Sequence, residues 1–440
     1  MSDPLAAEAR VLYELALESA PQIGIHHRIP GSLRHFEGSD VVFTLVQRAV
    51  GVDPSFAPAH AALGNLWSRY GRVEEALAAY RAAVAADPDF AAAHLGLAEL
   101  LHNTSDEEGA ERHLQIALSR RVLYSERPAN PQRSILVLCA PRPWSMNAPL
   151  DFVLNAERSE IHRLYVAPEH PPQTQELPAY DLVFSALGEL ERSQATIELA
   201  RQFVDAQSKP VINHPHFLER IARAALPATL DGVGSCIVPR TMRLSRDEAA
   251  AFAEFGFPFL IRPVDSHGGR GLELVGTASQ LQAYLARFDA AAFIVAEYVD
   301  YRDSDGFYRK YRVVLVDGEP FAYHLAISPE WMVHYYKTPM REHAWMRAEE
   351  ERFMEDPGSV FPAWETSFRA IARAIGLDYF AIDCARVPDG SVVVFEADAA
   401  MLVHCLDPLE IFPYKHRLVP RIFAALEDLL ERRGGNSHSP

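Results

Sequence analysis

A 34-residue internal repeat near the N-terminus limits this chain to a small set of folds. The segment APAHAALGNLWSRYGRVEEALAAYRAAVAADP (57–88) is followed, 34 positions on, by AAAHLGLAELLHNTSDEEGAERHLQIALSR (91–120). The shift aligns His60 with His94, Leu63 with Leu97, Gly64 with Ala98, Trp67 with Leu101, Ala76 with Ala110, Tyr80 with Leu114 and Ala83 with Ala117. This spacing predicts paired helices that stack on their neighbours, because one pair cannot bury its apolar face alone.

The period and the small residues at the helix contacts resemble tetratricopeptide repeats. A partial earlier unit ends in VVFTLVQRAVGVDP (41–54), and a further helix is expected at about 4–20. Between them, IGIHHRIPGSLRHF contains Pro30 and Gly31 and shows no helical pattern. Stacked helix pairs provide either a concave groove for an extended peptide or a cap or dimer surface. The sequence does not decide between a peptide-binding groove and a homodimer surface.

Composition and charge exclude several classes of function. A formal net charge of −17 argues against nucleic acid or an anionic membrane as a partner of the bulk surface. Neither a signal peptide nor a run of about 18 apolar residues is expected from the sequence. The four cysteines lie far apart in apolar surroundings, which predicts reduced thiols in a cytoplasmic protein. They are Cys139, Cys236, Cys384 and Cys405.

After a linker, SERPANPQR (125–133), strand-like and helix-like segments alternate. Short apolar strands are predicted at 134–140, 161–167, 180–187 and 209–213, with an amphipathic helix at 193–207. This order predicts a small parallel α/β unit. From about 235 onward, the strands IVPRTMRL, FPFLIRPV, LELV and AFIVAEYV precede a hairpin around Asp317-Gly318, a helix FRAIARAIG and a second hairpin, YFAIDCARVPDGSVVVFEAD.

The second hairpin carries three carboxylates. Glu396 and Asp398 are two apart on an alternating strand and so point the same way. A turn of two or four residues would place Asp383 on their face, and a three-residue turn would place Phe395 opposite Asp383 instead. Opposed carboxylates repel each other, and oxygen ligands among apolar neighbours suit Mg²⁺. The alternative is a solvated acidic hairpin.

The order of these motifs is more specific than any one of them. An arginine on a strand, the glycine loop SHGGRG, a strand ending in VAEYV and a hairpin with E-x-D follow one another. Over about residues 134–430 this resembles the ATP-grasp superfamily, which includes glutathione synthetase, D-alanine–D-alanine ligase and the ribosomal-protein glutamate ligase. The implied fold class is α/β plus all-α: tetratricopeptide-like repeats (1–125), a pre-ATP-grasp α/β domain (134–225), an ATP-grasp domain (226–432) and a disordered tail (433–440).

The resemblance also implies roles for the residues that match its motifs. ATP phosphates would be contacted by Arg262 and by Arg220, with Arg223 as the alternative to Arg220, and by the lid residues His267, Gly268, Gly269 and Gly271. Adenine would be held by the hinge Glu297, Tyr298 and Val299. Arg312 would contact an acyl phosphate or a substrate carboxylate, and Asp383, Glu396 and Asp398 would bind Mg²⁺.

Four departures from the family pattern concern the phosphates, the metal and the substrate. Arginine stands at both usual phosphate lysines, Lys310 replaces an acidic residue two positions before Arg312, and Asp398 replaces an asparagine. The segment AAMLVHC replaces the usual loop of small residues. Candidate substrate contacts are His324, His404 and, in the aromatic segment 328–346, His334 and Lys337. Structural packing is the alternative role for each.

The implied activity is that of an ATP-dependent carboxylate–amine ligase. A substrate carboxylate would take the γ-phosphoryl group of ATP to give an acyl phosphate and ADP, and an amine acceptor would then displace phosphate. A peptide or an amino acid is the expected substrate. The alternatives are an ATP-grasp phosphotransferase and a catalytically degenerate nucleotide-binding scaffold that acts through its helical repeats.

Overall fold

The computed structural model describes residues 4–19, 39–104, 106–128, 130–141, 147–172, 176–188, 194–234, 236–264, 266, 269–387 and 390–434. The chain divides into two compact units. The first comprises Met1–Leu187, Ala195–Ile212 and Leu430–Pro440, and the second comprises Gly188–Gln194 and Asn213–Leu429. The finer domain boundaries given above stay predictions.

The first unit begins with helix pairs. Their bounds are α1 Pro4–Ser19, α2 Ser39–Val52, α3 Ala57–Arg69, α4 Val73–Ala86, α5 Ala91–Asn103 and α6 Glu107–Arg120. Helices α3 and α5 begin 34 positions apart, as do α4 and α6. The predicted repeat is therefore confirmed helix by helix. The segment IGIHHRIPGSLRHF lies outside the described residues.

Small residues allow the repeat helices to pack closely, as predicted. A Cβ on Gly64 would lie 2.7 Å from the ring of Tyr80, and one on Gly96 would lie 2.4 Å from it. These distances are too short for a side chain larger than hydrogen at either position. The Tyr80 hydroxyl donates a 2.5 Å hydrogen bond to Asn65 Oδ1, so this buried ring also has a polar partner.

The predicted parallel α/β sheet follows in the same unit. Its strands are β1 Leu123–Glu126, β2 Arg133–Cys139, β3 Ser159–Tyr165, β4 Leu182–Ser185 and β5 Val211–Ile212. Their order is β1-β3-β2-β4-β5, and all neighbours are parallel except β1 and β3. Helix α7 (Gln194–Asp205) leads into β5. The predicted linker at 125–133 is partly wrong, because its first two residues belong to the edge strand β1 and its last residue, Arg133, begins β2.

The second unit contains an antiparallel sheet over one apolar core. Its elements are α8 Leu226–Thr229, β6 Cys236–Ile237, β7 Thr241–Ser245, α9 Arg246–Ala250, β8 Phe259–Pro263, β9 Glu273–Val275, α10 Ala278–Arg287 and β10 Ala292–Glu297. The sheet order is β7-β10-β8-β9. Phe259, Ile261, Phe293, Val295 and Tyr284 are fully buried together. Strand β8 therefore buries alternate residues and leaves Arg262 on its other face.

A further sheet carries the predicted hairpins. The remaining elements are β11 Tyr308–Val316, β12 Glu319–Ser328, α11 Ala344–Glu355, α12 Trp364–Ile375, β13 Tyr379–Arg386, β14 Val392–Asp398, α13 Pro413–Leu418 and α14 Pro420–Gly434. The sheet order is β12-β11-β13-β14-β6. Asp317 and Gly318 have φ of 49° and 84°, which is typical of the tight turn predicted between β11 and β12.

The predicted fold class, helical repeats followed by α/β units, is confirmed. Helix α14 continues through Gly434, so the first two residues of the predicted tail, 433 and 434, are helical. Residues 435–440 lie outside the described part of the chain. Within the described residues, no helix combines the length and the apolar character needed to cross a membrane.

Candidate functional site

The register of the acidic hairpin decides whether its carboxylates meet. Arg386 pairs with Val392 and Cys384 with Val394, which is the register of a three-residue turn. The pairing then shifts at Phe395, and Asp383 lies opposite Glu396. A β-bulge, one extra residue on one strand, produces this shift. Asp383 and Glu396 therefore lie opposite each other, which was expected only for a two-residue turn; the expectation that a three-residue turn would place Phe395 opposite Asp383 is wrong because of the bulge.

Neighbouring strands extend this acidic pair into a row across the sheet. Arg312 on β11 pairs with Asp383 on one side and with His324 on β12 on the other. Side chains two apart on a strand share a face, so Lys310 lies beside Arg312. One face of the sheet therefore carries the cations of β11 next to the carboxylates of β13 and β14.

Asp383 is held by two cations of the chain itself. Arg312 donates from Nε to Asp383 Oδ1 over 2.7 Å and from Nη2 to Oδ2 over 3.1 Å. Lys310 Nζ lies 2.9 Å from Asp383 Oδ2. Burial acts to raise the pKa of Asp383, but Arg312 and Lys310 outweigh it and hold this pKa well below its ordinary value. Asp383 is therefore an ionised, buried carboxylate with a fixed orientation.

Glu396 and Asp398 have different environments although they are two residues apart. Burial acts to raise the pKa of Glu396, and Arg223, whose Nη2 donates to Glu396 Oε1 over 2.9 Å, brings the net value below the ordinary one. Burial and the nearby charge of Glu396 raise the pKa of Asp398 to about 6. A 2.7 Å hydrogen bond from the Ala400 backbone N–H acts in the opposite direction but does not outweigh them. The charge of Asp398 is thus the least compensated of the three.

The donor set fits a metal ion only in part. Within the described ranges, no group of three or more His, Cys, Asp or Glu side chains is arranged to hold a metal. Arg312 and Lys310 already contact both Asp383 oxygens. Glu396 and Asp398 supply carboxylate oxygens, the ligands Mg²⁺ prefers, and the raised pKa of Asp398 shows repulsion that a cation would relieve. The role of Asp383 as a ligand stays a prediction.

Arg262 lies at the start of the glycine loop. Its Nε donates to Ser266 Oγ over 3.0 Å, and its Nη2 donates to the Ser266 carbonyl. Its charge contributes to the lowered pKa of Glu396. Gly269 and Gly271 have φ of 77° and 66°, in the left-handed region that favours glycine. His267 and Gly268 lie outside the described residues.

The structure separates Arg220 from the carboxylates and brings Arg223 to them. Arg220 Nη1 donates to the carbonyls of Ala374 (3.0 Å) and Ile375 (3.3 Å), the last residues of α12, where a cation is favourable. The 3₁₀ segment Pro215–Ile221 ends at Ala222, whose ψ of 137° is extended. Because the helical path stops there, the two arginines point in different directions. Of the two arginines considered for the phosphate position, Arg223 is therefore the one that lies beside Glu396.

The predicted adenine hinge follows strand β10. The Glu297 backbone N–H donates to the Arg240 carbonyl over 2.9 Å, and its exposed carboxylate accepts from Arg240 Nε over 3.2 Å. The hydroxyls of Tyr298 and Tyr308 are 3.4 Å apart. Val299 is half-buried. These contacts order the segment, and its role in binding adenine stays a prediction.

A cavity of about 120 Å³ opens beside the row of charges. It is lined by Lys310, Arg312, Tyr323, His324, His334, Tyr335, Leu402, His404, Asp407 and Lys415. Three of the four predicted substrate contacts, His324, His334 and His404, are brought together here, whereas Lys337 is exposed and does not line the cavity. We call this space the cationic pocket. Sequence reasoning missed Lys415, although the chain has only four lysines among its 42 basic residues.

A buried network of polar side chains compensates the charge of Lys415. Its Nζ lies 3.3 Å from Glu350 Oε1 and 3.3 Å from Asp407 Oδ2, and it donates to the Tyr335 hydroxyl. Tyr414 donates a 2.5 Å hydrogen bond to Glu350 Oε2. Burial raises the pKa of Glu350, and Lys415 opposes this. The network fixes the ammonium group at the wall of the cationic pocket.

The histidines of the cationic pocket are neutral rings near pH 7. Burial, reinforced by Arg312 and Lys415, lowers the pKa of His324 well below its ordinary value. Burial is also the main cause of the lowered pKa of His334 and of His404. Each ring therefore offers one hydrogen-bond donor and one acceptor rather than a charge.

Known proteins provide two kinds of match. The family model described as TPR repeat matches residues 70–105, a range that contains α4 and α5. A comparison with curated proteins found no match. The repeat prediction is therefore supported by both the helix bounds and the family model.

Solved structures of ATP-grasp ligases are similar to this chain. A D-alanine–D-alanine ligase from Bacillus anthracis complexed with ATP is 12% identical, with 69% of this chain and 96% of that chain covered and a TM-score of 0.43. The VanG D-Ala:D-Ser ligase from Enterococcus faecalis is 16% identical, with coverages of 68% and 99% and a TM-score of 0.43. The ATP-grasp ligase PsnB complexed with precursor peptide PsnA2 and AMPPNP is 16% identical, with coverages of 69% and 99% and a TM-score of 0.40.

Proposed function

We propose that the chain is an ATP-dependent carboxylate–amine ligase that acts through an acyl phosphate. The observation that carries this proposal is the charged face of β11, β13 and β14. There Arg312 and Lys310 hold Asp383, and Arg223 holds Glu396 next to the weakly compensated Asp398. Phosphoryl transfer depends mainly on positioned charges, and this face supplies them in a largely buried setting.

The nucleotide would bind at the acidic end of this face. Glu396 and Asp398 would hold Mg²⁺, which neutralises phosphate oxygens when bound. Arg223 and Arg262 both lower the pKa of Glu396 and so lie within electrostatic reach of it. They would contact the phosphates, for which the planar guanidinium is well suited. The backbone N–H groups of the glycine loop would close over them.

The carboxylate substrate would bind at the cationic end, beside Arg312. One of its oxygens would attack the γ-phosphorus of ATP as the bond to the ADP oxygen breaks. The amine acceptor would then attack the carbonyl carbon, phosphate would leave, and the amine proton would pass to solvent or to a neutral histidine of the cationic pocket. A peptide or amino-acid substrate is proposed, with the concave side of α1–α6 as the docking surface for a peptide.

Product analysis with Mg-ATP and a pool of small peptides and amino acids tests the proposal. A ligase forms ADP and free phosphate in equal amounts, together with an amide product one water lighter than its two substrates. A phosphorylated product without free phosphate would assign the chain to the phosphotransferases. Nucleotide binding without ADP formation from any pool would contradict the ligase proposal.

One observation favours the non-catalytic alternative. Arg312 and Lys310 satisfy both oxygens of Asp383 with cations of the chain itself, where the family resemblance implies a magnesium ligand. A nucleotide-binding scaffold would need no metal at that position. Calorimetric titration of ATP with and without Mg²⁺ distinguishes the two, since only the ligase proposal expects nucleotide affinity to rise with Mg²⁺ and to depend on Glu396.

A further inference from the structure

The cationic pocket has the size of one small polar group. Its volume of about 120 Å³ is well below the roughly 300–1,000 Å³ of pockets that enclose a drug-sized ligand. Leu402 is the one lining side chain without a polar atom. A large apolar ligand is therefore excluded, and a compact, hydrogen-bonding part of a substrate fits.

The charges that face the cationic pocket are mainly positive. Lys310 and Arg312 each leave 19% of their side chains exposed, whereas their shared counter-ion Asp383 leaves 4%. At the other wall, Lys415 is exposed to 3% and its partner Glu350 to 0%, and Asp407 is exposed to 10%. The exposed surface of the Lys310 and Arg312 side of the pocket is thus cationic, while the compensating carboxylate lies behind it.

Hydrogen-bonding capacity remains at the same wall. Arg312 uses Nε and Nη2 on Asp383, and its Nη1 donates to no described residue. His324 is buried, lines the pocket and makes no hydrogen bond within the described residues, its Nδ1 being fully enclosed. A buried polar ring without a partner is uncommon, and a ligand in the pocket would contact Nε2 rather than the enclosed Nδ1.

We propose that the cationic pocket binds the carboxylate of a small amino acid, and that Lys310 sets this preference. The inference rests on the proposed ligase function, for which it names the class of amine substrate. Lys310 stands where the family resemblance implies an acidic side chain, so the charge at this position is reversed. An acidic residue there would repel a carboxylate, whereas the ammonium group of Lys310 attracts it and adds a second cation beside Arg312.

Binding of matched carboxylates and amides to the full-length chain tests this inference. The probes are glycine, L-alanine, D-alanine and L-serine, each compared with its α-amide, and inorganic phosphate, titrated calorimetrically without ATP. We expect at least one amino acid to bind about tenfold or more tightly than its amide, because the amide lacks the charge that pairs with the cations of the pocket. Lys310→Met should abolish this difference, Lys310→Arg should keep it, and the matched control Lys209→Met should leave it unchanged.

Thermal melts establish that each variant is folded, and His324→Phe provides a second test if Lys310→Met is not. This variant keeps the ring but removes both nitrogens, so the preference for carboxylate should fall several-fold. Equal affinity for acids and amides in the wild-type chain, no binding of any amino acid, or an unchanged preference in a folded Lys310→Met would overturn the inference. Phosphate that binds more tightly than every amino acid and depends on Lys310 in the same way would also overturn it.

The two proposals fail separately. Absence of ADP formation, with the carboxylate preference intact, would contradict the ligase function and leave the pocket assignment standing. ADP and amide formation in a chain without that preference would support the ligase function and contradict the pocket assignment.

Discussion

Asp398 and Glu396 lie two residues apart, yet their removal should change stability in opposite directions. Burial and the charge of Glu396 raise the pKa of Asp398 to about 6, compared with about 3.9 in an unfolded chain. An interval of about two pH units corresponds to about 2.8 kcal/mol. Asp398 is partly exposed, so solvent reduces this, and we expect Asp398→Asn to stabilise the metal-free protein by about 1–2 kcal/mol at pH 7.

The sign follows from proton linkage. Between about pH 4 and pH 6 the native state binds more protons at Asp398 than the unfolded state does, so this residue makes the protein less stable as pH rises through that window. Asp398→Asn should remove this part of the pH dependence. Glu396 has a lowered pKa because Arg223 compensates for its burial, so its contribution is present above the unfolded pKa of about 4.3 and is lost as pH falls through the folded value. Glu396→Gln should therefore destabilise the protein at pH 7.

Urea denaturation followed by circular dichroism, in EDTA and at several pH values between 4 and 8, measures both effects. Adding Mg²⁺ should stabilise the wild-type chain, since a cation relieves the repulsion at Asp398, and should stabilise Asp398→Asn less. If Asp398→Asn is as unstable as Glu396→Gln at pH 7, the charge at position 398 is compensated in a way that contradicts our account. An equal response of wild type and Asp398→Asn to Mg²⁺ would refute the proposed ligand role.

Three further predictions separate effects on nucleotide binding from effects on stability. Arg220→Met should lower the free energy of unfolding by about 1 kcal/mol through loss of its hydrogen bonds at the end of α12, and leave ATP affinity unchanged in calorimetric titration. Arg223→Met should instead weaken ATP binding, and equal ATP affinity in the two variants would remove Arg223 from the phosphate site. Arg262→Ala should weaken ATP binding by about tenfold or more, because a charge-assisted contact is lost, while its melting temperature changes little; normal ATP binding would make Arg262 structural. Gly96→Val should destabilise the helical repeats by about 2 kcal/mol or more, since its Cβ would overlap the Tyr80 ring. Gly51→Ala, at a position with open space, should not destabilise them. Thermal denaturation of both variants measures the difference.

Periodicity and motif order were sufficient for much of the fold. The 34-residue offset predicted α3 to α6 because small residues recur wherever two helices touch. Alternating or continuous apolar runs predicted most strands of the three sheets, and Asp317-Gly318 predicted its hairpin turn. The edge strand β1 was not predicted, and β6 and β7 were predicted as one segment, IVPRTMRL. These features depend on local patterns, which a sequence displays directly.

The site was less predictable, because side-chain direction there depends on departures from regular geometry. Arg220 and Arg223 would lie on one face of a continuous helix, but the chain becomes extended at Ala222 and the arginines diverge. Lys415 reaches the cationic pocket through long-range packing with Glu350, 65 positions away in sequence. No local pattern specifies such a contact, although the rarity of lysine in this chain marks the residue as unusual.

The bulge at Phe395 combines two requirements that the turn alone could not meet. A three-residue turn closes the hairpin between β13 and β14, and a regular ladder from it would place Phe395 opposite Asp383. The inserted residue instead packs its ring against Tyr301, with centroids 4.8 Å apart, while Glu396 moves into the position opposite Asp383. An apolar ring is thus removed from the charged row and packs, partly buried, against a separate apolar cluster. The opposed carboxylates stay ionised because Arg312, Lys310 and Arg223 neutralise their repulsion, so the acidic register and the cations beside it depend on each other.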